Sequence, residues 1–87
     1  MPTQTVTVGS SVGLHARPAS IIADAAADLD SEVFLAVPGE EPVDAGSSLL
    51  IMTLGAGPGD TIEVSGDDEA DVAAIAALVA KDLDAED

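Results

Sequence analysis

The 87-residue chain is long enough for one small domain with a modest hydrophobic core, so a single domain is predicted over residues 1–87. It contains no cysteine, which excludes disulfides and cysteine metal ligands. Two basic residues stand against 17 acidic ones, a formal net charge of −15, and this excludes nucleic-acid binding because such affinity comes mainly from Lys and Arg on phosphates.

The first third of the chain predicts a strand followed by a helix. Polar and apolar residues alternate over residues 3–8, which favours a strand. After a loop rich in Gly and Ser, an alanine-rich helix begins between Ala16 and Pro18, since a proline in the first helical turn loses no intrahelical hydrogen bond. Apolar residues recur at helical spacing until the helix ends near Asp28.

The middle of the chain predicts a hairpin and a short helix. Alternation over Glu32–Val37 indicates a second strand, and a turn containing two prolines and a glycine joins it to a short strand at Val43–Asp44. The segment Gly46–Ser48 then offers N-caps to a helix through the apolar run Leu49–Met52. Gly55 is a plausible C-terminus for that helix.

The last third predicts a strand and a helix. Asp60–Ser65 alternates with Ile62 and Val64 pointing inward, and the acidic residues that follow favour a helix start because the helix dipole attracts negative charge there. An apolar stripe continues along this helix, with Lys81 in its last turns. The predicted order is β-α-β-β-α-β-α, an α+β fold with helices covering one face of a mainly antiparallel sheet.

His15 is the residue on which any chemistry of this chain should depend. It is the only histidine, two positions before Arg17, the only arginine, and it lies at a helix N-terminus, where free backbone N–H groups attract anions. Arg17 adds a permanent charge and a planar fork suited to phosphate oxygens. One imidazole nitrogen can be the nucleophile while these donors hold the phosphoryl oxygens, so the segment predicts a transient phosphohistidine.

The polar residues also allow interpretations other than a phosphohistidine site. A lone histidine without context is more often a surface or capping residue than a catalytic one. A zinc site needs further nitrogen or sulfur ligands, so neither a metal nor a cofactor is expected. The acidic residues from Asp67 to Asp71 fit a solvated helix start better than a calcium site, because they lack EF-hand spacing.

Charge and hydropathy also bear on where the protein works. An apolar fraction of 47% with regular periodicity favours a folded chain over a disordered one. The excess of carboxylates indicates adaptation to concentrated salt, where self-repulsion is screened. The chain has no run of about 18 apolar residues that would span a membrane, and residues 1–4 lack the features of a signal peptide. A cytoplasmic protein without membrane insertion is therefore expected.

The segment Gly13–Ala19, with the sequence Gly-Leu-His-Ala-Arg-Pro-Ala, resembles the active-site motif of the HPr family. These proteins are the histidine-containing phosphocarriers of the phosphoenolpyruvate-dependent sugar phosphotransferase system. The similarity extends over nearly the whole chain in length, element order and the Leu54-Gly55 pair before a turn and a strand. It implies an open-faced β-sandwich, with helices on one side of a four-stranded antiparallel sheet, in a monomeric carrier that is not an independent enzyme.

The resemblance implies that His15 accepts a phosphoryl group on Nδ1 from phosphorylated enzyme I and passes it to the IIA component of a sugar permease. Arg17 would clamp the phosphoryl group, and the backbone amides of Ala16 and Arg17 would bind its oxygens. Alternative roles stay open. One is a carrier for the phosphocarrier subunit of a phosphoenolpyruvate-dependent dihydroxyacetone kinase. Another is a regulatory HPr-like binding protein, and a third is a small domain in which the motif is accidental.

The resemblance also implies a docking surface on the first helix and the short helix. Its residues would be Ala16, Ser20, Asp24, Ser48, Leu49 and Met52. From the residues alone, the run Leu49–Met52 could equally lie wholly in the core. Many family members carry a regulatory serine, matched here by Ser47, for which an N-cap is the other interpretation. The chain departs from the family at Gly46 and Asp24, where lysine is frequent, so partners must meet an unusually acidic face.

Overall fold

The computed structural model describes residues 2–9, 13–14 and 16–81, and within them the seven predicted elements occur in the predicted order. The strands are β1 Thr3–Thr7, β2 Val33–Ala36, β3 Val43–Asp44 and β4 Thr61–Gly66. The helices are α1 Ala16–Ala27, α2 Ser48–Thr53 and α3 Glu69–Ala80. The α+β fold with the order β-α-β-β-α-β-α is therefore confirmed.

The four strands in this part of the chain form one antiparallel sheet in the order β1-β4-β2-β3. The central strand β4 pairs with β1 from Thr3 opposite Ser65 to Thr7 opposite Thr61. On its other side β4 pairs with β2, and β2 pairs with the short edge strand β3. The period of two places alternate β4 residues on the core side, which confirms the inward position predicted for them.

All three helices pack over the apolar face of the sheet. Helix α3 lies against β1, β4 and β2, while α1 packs on α2 and α3. Every element except the two edge strands contributes a large, fully buried aliphatic side chain. Among these side chains are Ile22 from α1, Leu35 from β2, Ile51 from α2, Ile62 from β4 and Ile75 from α3. The core is almost wholly aliphatic, since the chain has one aromatic residue.

Helix α1 is amphipathic, as its sequence predicts. Pro18 is its third residue and is fully buried, which the first turn tolerates because that N–H would have no intrahelical partner. Ala19, Ile22 and Ala23 are buried at helical spacing, whereas Asp24 is exposed. The proline and the apolar face together fix how α1 leaves the loop before it.

The hairpin between β2 and β3 begins with a tight turn. The N–H of Glu40 donates to the carbonyl of Val37 at 2.9 Å, and Gly39 has a φ of +88°. With Pro38 before that glycine, the turn has the sequence and the conformation of type II. Strand β2 accordingly ends at Ala36, one residue before the predicted end, because Val37 already belongs to the turn.

The predicted position of Lys81 is wrong. Helix α3 ends at Ala80, and Lys81 has extended backbone angles, φ −87° and ψ 147°. In a longer helix the carbonyl of Val79 would accept the N–H of residue 83. In the structure that carbonyl accepts the N–H of Gly9 at 3.0 Å, so the segment after β1 supplies a donor to one of the last helical acceptors. None of the helices in the described residues is long and apolar enough to cross a membrane.

Candidate functional site

The predicted nucleophile, His15, lies outside the described residues, but both of its chain neighbours are placed. Leu14 is buried, with 2% of its surface exposed, and its N–H donates to the carbonyl of Ala56 at 3.0 Å. Ala16 is the first residue of α1. The residue before position 15 is therefore anchored and buried, and the residue after it begins a helix.

Gly13 brings the segment before α1 close to the loop between α2 and β4. Its φ is +75°, a left-handed conformation that L side chains rarely adopt. A Cβ on Gly13 would lie 2.6 Å from the carbonyl oxygen of Ala56 and 2.9 Å from the Cα of Gly57. Only glycine fits this approach, so the first residue of the recognised motif has a steric role in placing the rest.

The N-terminus of α1 differs in charge from that of α3. The first turn of α1 has no acidic residue and contains Arg17, which is exposed. The first turn of α3 has Glu69 and Asp71, and its N-cap carboxylate, Asp68, accepts from the N–H groups of Ala70 and Asp71. In a chain with 17 acidic residues, α1 therefore begins in a locally cationic region suited to an anion.

The docking residues predicted on α1 lie along one exposed stripe of that helix. Arg17, Ser20, Asp24 and Ala27 are all exposed, at spacings of three and four residues. This stripe starts at the first turn, so a partner that covers it also covers the region next to position 15. The backbone of Ala16 begins α1, and its side chain lies outside the described part of the chain.

Helix α2 exposes part of its apolar run, so the run Leu49–Met52 does not lie wholly in the core. Leu49 is 68% exposed and Leu50 is 40% exposed, while Ser48 and Met52 are half-buried. Ile51 is fully buried and holds the helix to the core. The sequence analysis did not single out Leu50 as an exposed residue. Because α2 packs on α1, its exposed leucines belong to a surface next to the α1 stripe.

Ser47 is the N-cap of α2. Its backbone is extended, and its Oγ accepts from the N–H of Leu50 at 3.3 Å. Its carbonyl accepts the N–H of Ile51 at 3.0 Å, the first hydrogen bond of the helix. At the other end, Gly55 has a φ of +67° and its N–H donates to Met52, as expected of a helix C-terminus. The capping role inferred from the sequence is confirmed.

Some acidic residues of the described segments have a role in local structure. Asp71 accepts the Ser31 hydroxyl at 2.7 Å, which ties the loop after α1 to α3. Within residues 2–9, 13–14 and 16–81, no group of three His, Cys, Asp or Glu side chains is placed to hold a metal ion.

The sequence analysis missed one part of the site, the loop from Gly55 to Asp60. Its composition indicated only a turn, yet Ala56 anchors Leu14, and the carboxylate of Asp60 accepts the N–H of Gly57 at 2.8 Å. Nothing local indicates that the turn contacts a segment more than 40 residues earlier.

Comparisons with known proteins agree with the fold and the motif. Residues 2–81 match the family described as the PTS HPr component phosphorylation site. The phosphocarrier protein HPr of Streptomyces coelicolor is 41% identical, covering 97% of this chain and 94% of that protein. The phosphocarrier protein NPr of Shewanella violacea is 40% identical, covering 85% of this chain and 84% of that protein.

Similarity to a solved structure supports the same conclusion. The crystal structure of HPr from Bacillus anthracis superposes with a TM-score of 0.81 at 31% identity, covering 88% of this chain and 94% of that one. The four-stranded antiparallel sheet, the three helices and their order are those of an HPr fold. This chain belongs to the HPr family, the phosphocarrier proteins of the phosphotransferase system.

Proposed function

We propose that this phosphocarrier accepts its phosphoryl group on His15 from the phosphorylated enzyme I of the phosphotransferase system and delivers it to a IIA component. The observation that carries the proposal is the N-terminus of α1. This helix starts one residue after His15, its first turn lacks carboxylates, and Arg17 is exposed there. A dianionic phosphoryl group is stabilised at such a place by the helix dipole and by a guanidinium.

In the proposed step, the lone pair of the His15 Nδ1 attacks phosphorus. The new P–N bond forms as the bond between phosphorus and the donor protein breaks, and the donor keeps that electron pair. The guanidinium of Arg17 and the backbone N–H groups of Ala16 and Arg17 hold the phosphoryl oxygens while their charge is shared in the transition state. Transfer to the acceptor is the same exchange with the carrier as donor.

The protein acts as a carrier and has no substrate turnover of its own, because each phosphoryl group arrives from one protein and leaves on another. Both partners then need the same surface around position 15. The exposed stripe of α1 and the exposed leucines of α2 supply it: a polar strip that includes Arg17 and Asp24, beside the apolar pair Leu49 and Leu50. We place this exchange in the cytoplasm, where phosphoenolpyruvate is available.

The test is phosphorylation of the purified protein with phosphoenolpyruvate and enzyme I. The wild type should gain one acid-labile, base-stable phosphate per chain, as expected of a phosphohistidine. His15→Ala should gain none, and adding a IIA component should remove the label from the wild type.

Ser47→Ala is the matched control, since it removes the serine hydroxyl that the family resemblance implies as another phosphate acceptor. It should label as well as the wild type. Acid-stable label, or label that persists in His15→Ala, would contradict the proposal.

A further inference from the structure

The loop between α2 and β4 is closed by a carboxylate. The Oδ2 atom of Asp60 accepts the N–H of Gly57 at 2.8 Å, and the N–H of Asp60 donates back to the carbonyl of Gly57 at 3.1 Å. The first bond holds the peptide between Ala56 and Gly57, because Gly57 supplies the N–H of that peptide and Ala56 supplies its carbonyl. The second bond closes the turn through the next peptide, whose carbonyl belongs to Gly57. The orientation of the Ala56 carbonyl therefore depends on the Asp60 side chain.

The same loop is attached to the end of β1. The N–H of Val8 donates to the carbonyl of Asp60 at 2.8 Å, and the N–H of Gly59 donates to the carbonyl of Val8 at 3.0 Å. The base of the loop is thus fixed to the sheet, and the Asp60 carboxylate braces its other side. A loop held at both points can act as a rigid support for whatever contacts it.

What contacts it is the segment that leads to His15. The Ala56 carbonyl accepts the N–H of Leu14, and Gly13 lies against the backbone of Ala56 and Gly57. A change in the direction of the Ala56–Gly57 peptide would move the acceptor of Leu14, one residue before the nucleophile. The chain of contacts runs from Asp60 through Gly57 and Ala56 to Leu14.

We infer that Asp60 is a positioning residue for phosphoryl transfer: its carboxylate fixes the Ala56–Gly57 peptide, and this peptide fixes the start of the His15 segment. The inference rests on the proposed role of His15. It assigns a function in the transfer site to a carboxylate on an exposed turn that the sequence marks only as a loop. The carboxylate acts through the hydrogen bond that it accepts and not through its charge.

The test compares three substitutions that separate the hydrogen bond from the charge. Asp60→Asn keeps an oxygen acceptor and removes the charge, whereas Asp60→Glu keeps the charge and displaces the acceptor by one methylene. Asp60→Ala removes both. If the bond matters, the rate constant for phosphorylation by saturating enzyme I should fall about fivefold in Asp60→Ala, a factor typical of one net hydrogen bond. The rate constant of Asp60→Glu should fall by a similar factor, and that of Asp60→Asn should stay close to the wild-type value.

Two further readouts distinguish positioning from a general loss of stability. Hydrogen exchange of the Leu14 amide should be about fivefold faster in Asp60→Ala, with unchanged exchange in the centre of α3. The KM for enzyme I should not change, since Asp60 lies outside the proposed docking surface. Asp44→Ala is the matched control, because Asp44 accepts the N–H of Gly46 at the same 2.8 Å in a different turn, the one between β3 and α2.

The outcomes are decisive in either direction. A normal rate in Asp60→Ala, or an Asp60→Asn variant as slow as Asp60→Ala, overturns the inference. If Asp60→Ala does not fold, Asp60→Glu still decides, because it has the charge of the wild type and only the bonding account makes it slower than the wild type. Absence of label on the wild type would instead defeat the proposed function, while Leu14 exchange would still report whether Asp60 anchors that residue.

Discussion

Gly9 lies directly against the carbonyl of Ala80. A Cβ on Gly9 would come within 2.0 Å of that oxygen and 2.7 Å of its carbon. The N–H of Gly9 also donates to the carbonyl of Val79 at 3.0 Å. The end of β1 and the end of α3 therefore meet backbone to backbone, which only a residue without a side chain permits.

This contact predicts that Gly9→Ala is strongly destabilising. The new methyl cannot be accommodated by a side-chain rotation, because the atoms it meets are backbone, so we expect a loss of about 3 kcal/mol in the free energy of unfolding, at the upper end for overpacking. This loss can be measured by urea unfolding of the variant and the wild type. Gly39→Ala is the control, since Gly39 has a positive φ but open space around it, and should cost about 1 kcal/mol. Equal losses would show that steric contact is not the cause.

The cap of α2 predicts a second stability effect. Ser47→Ala removes the acceptor of the Leu50 N–H and should lower the free energy of unfolding by about 1 kcal/mol. Ser48→Ala, one residue later and inside the helix, should cost less because Ser48 caps nothing. Ser47→Asp should retain the stability of the wild type, since aspartate is an equally good N-cap.

The same variants test regulation at Ser47 separately from capping. A phosphate there would add negative charge at the start of the helix that carries Leu49, a residue of the proposed docking surface. Ser47→Asp should therefore slow phosphorylation by enzyme I while leaving stability intact, whereas Ser47→Ala should lose stability and keep its transfer rate. If Ser47→Asp transfers normally, charge at position 47 does not regulate docking.

The fold could be predicted from the sequence where the determining contacts are local. The alternation in β4, the proline in α1 and the caps of α2 at Ser47 and Gly55 each depend on residues within one turn or strand. The end of α3 could not be predicted in this way. The carbonyl of Val79 there bonds the N–H of Gly9, which is 70 positions away in the chain. The anchor of Leu14 on Ala56 was missed for the same reason: a bond between backbone groups leaves no pattern in either segment.

The exposure of Leu49 on α2 predicts that its substitution weakens association with enzyme I. Leu49→Gln removes an apolar side chain that is 68% exposed, so the free energy of unfolding should change by less than about 0.5 kcal/mol. The KM for enzyme I should rise about tenfold, as for a buried interface anchor. Ala74→Gln introduces the same polar side chain on the exposed side of α3 and should leave the KM unchanged. An unaltered KM in Leu49→Gln would place the docking surface elsewhere.

The proposed role of Arg17 predicts that its substitution slows the phosphoryl transfer step. Arg17→Ala should lower the rate constant about a hundredfold by removing a donor to the phosphoryl oxygens, and Arg17→Lys should lower it about tenfold, because lysine keeps the charge and lacks the planar fork. Lys81→Ala removes the only lysine in the chain, at the end of α3, and should have no effect on the rate. A loss in Lys81→Ala equal to that in Arg17→Ala would mean that net charge, not the guanidinium, controls the reaction.

The acidity of the chain predicts that salt supports both stability and transfer. The chain has a formal net charge of −15, and its Cα radius of gyration is only 11.1 Å. The Debye length falls from about 10 Å at 0.1 M salt to about 3 Å at 1 M, so carboxylate repulsion is screened in concentrated salt. We expect the thermal midpoint to rise by about 10 °C between these concentrations of KCl, equivalent to roughly 2 kcal/mol for a domain of this size. Phosphorylation through His15 should slow as salt is removed, because distant carboxylates then repel the incoming phosphoryl group.

A charge variant separates screening from other effects of salt. Glu40→Gln, Glu41→Gln and Asp30→Asn together remove three exposed carboxylates, which changes the formal net charge from −15 to −12. This triple variant should be more stable than the wild type at 0.1 M KCl and should gain less from 1 M KCl, because less repulsion remains to be screened. If its salt dependence equals that of the wild type, or if transfer accelerates in dilute salt while the protein stays folded, self-repulsion is not what limits this protein.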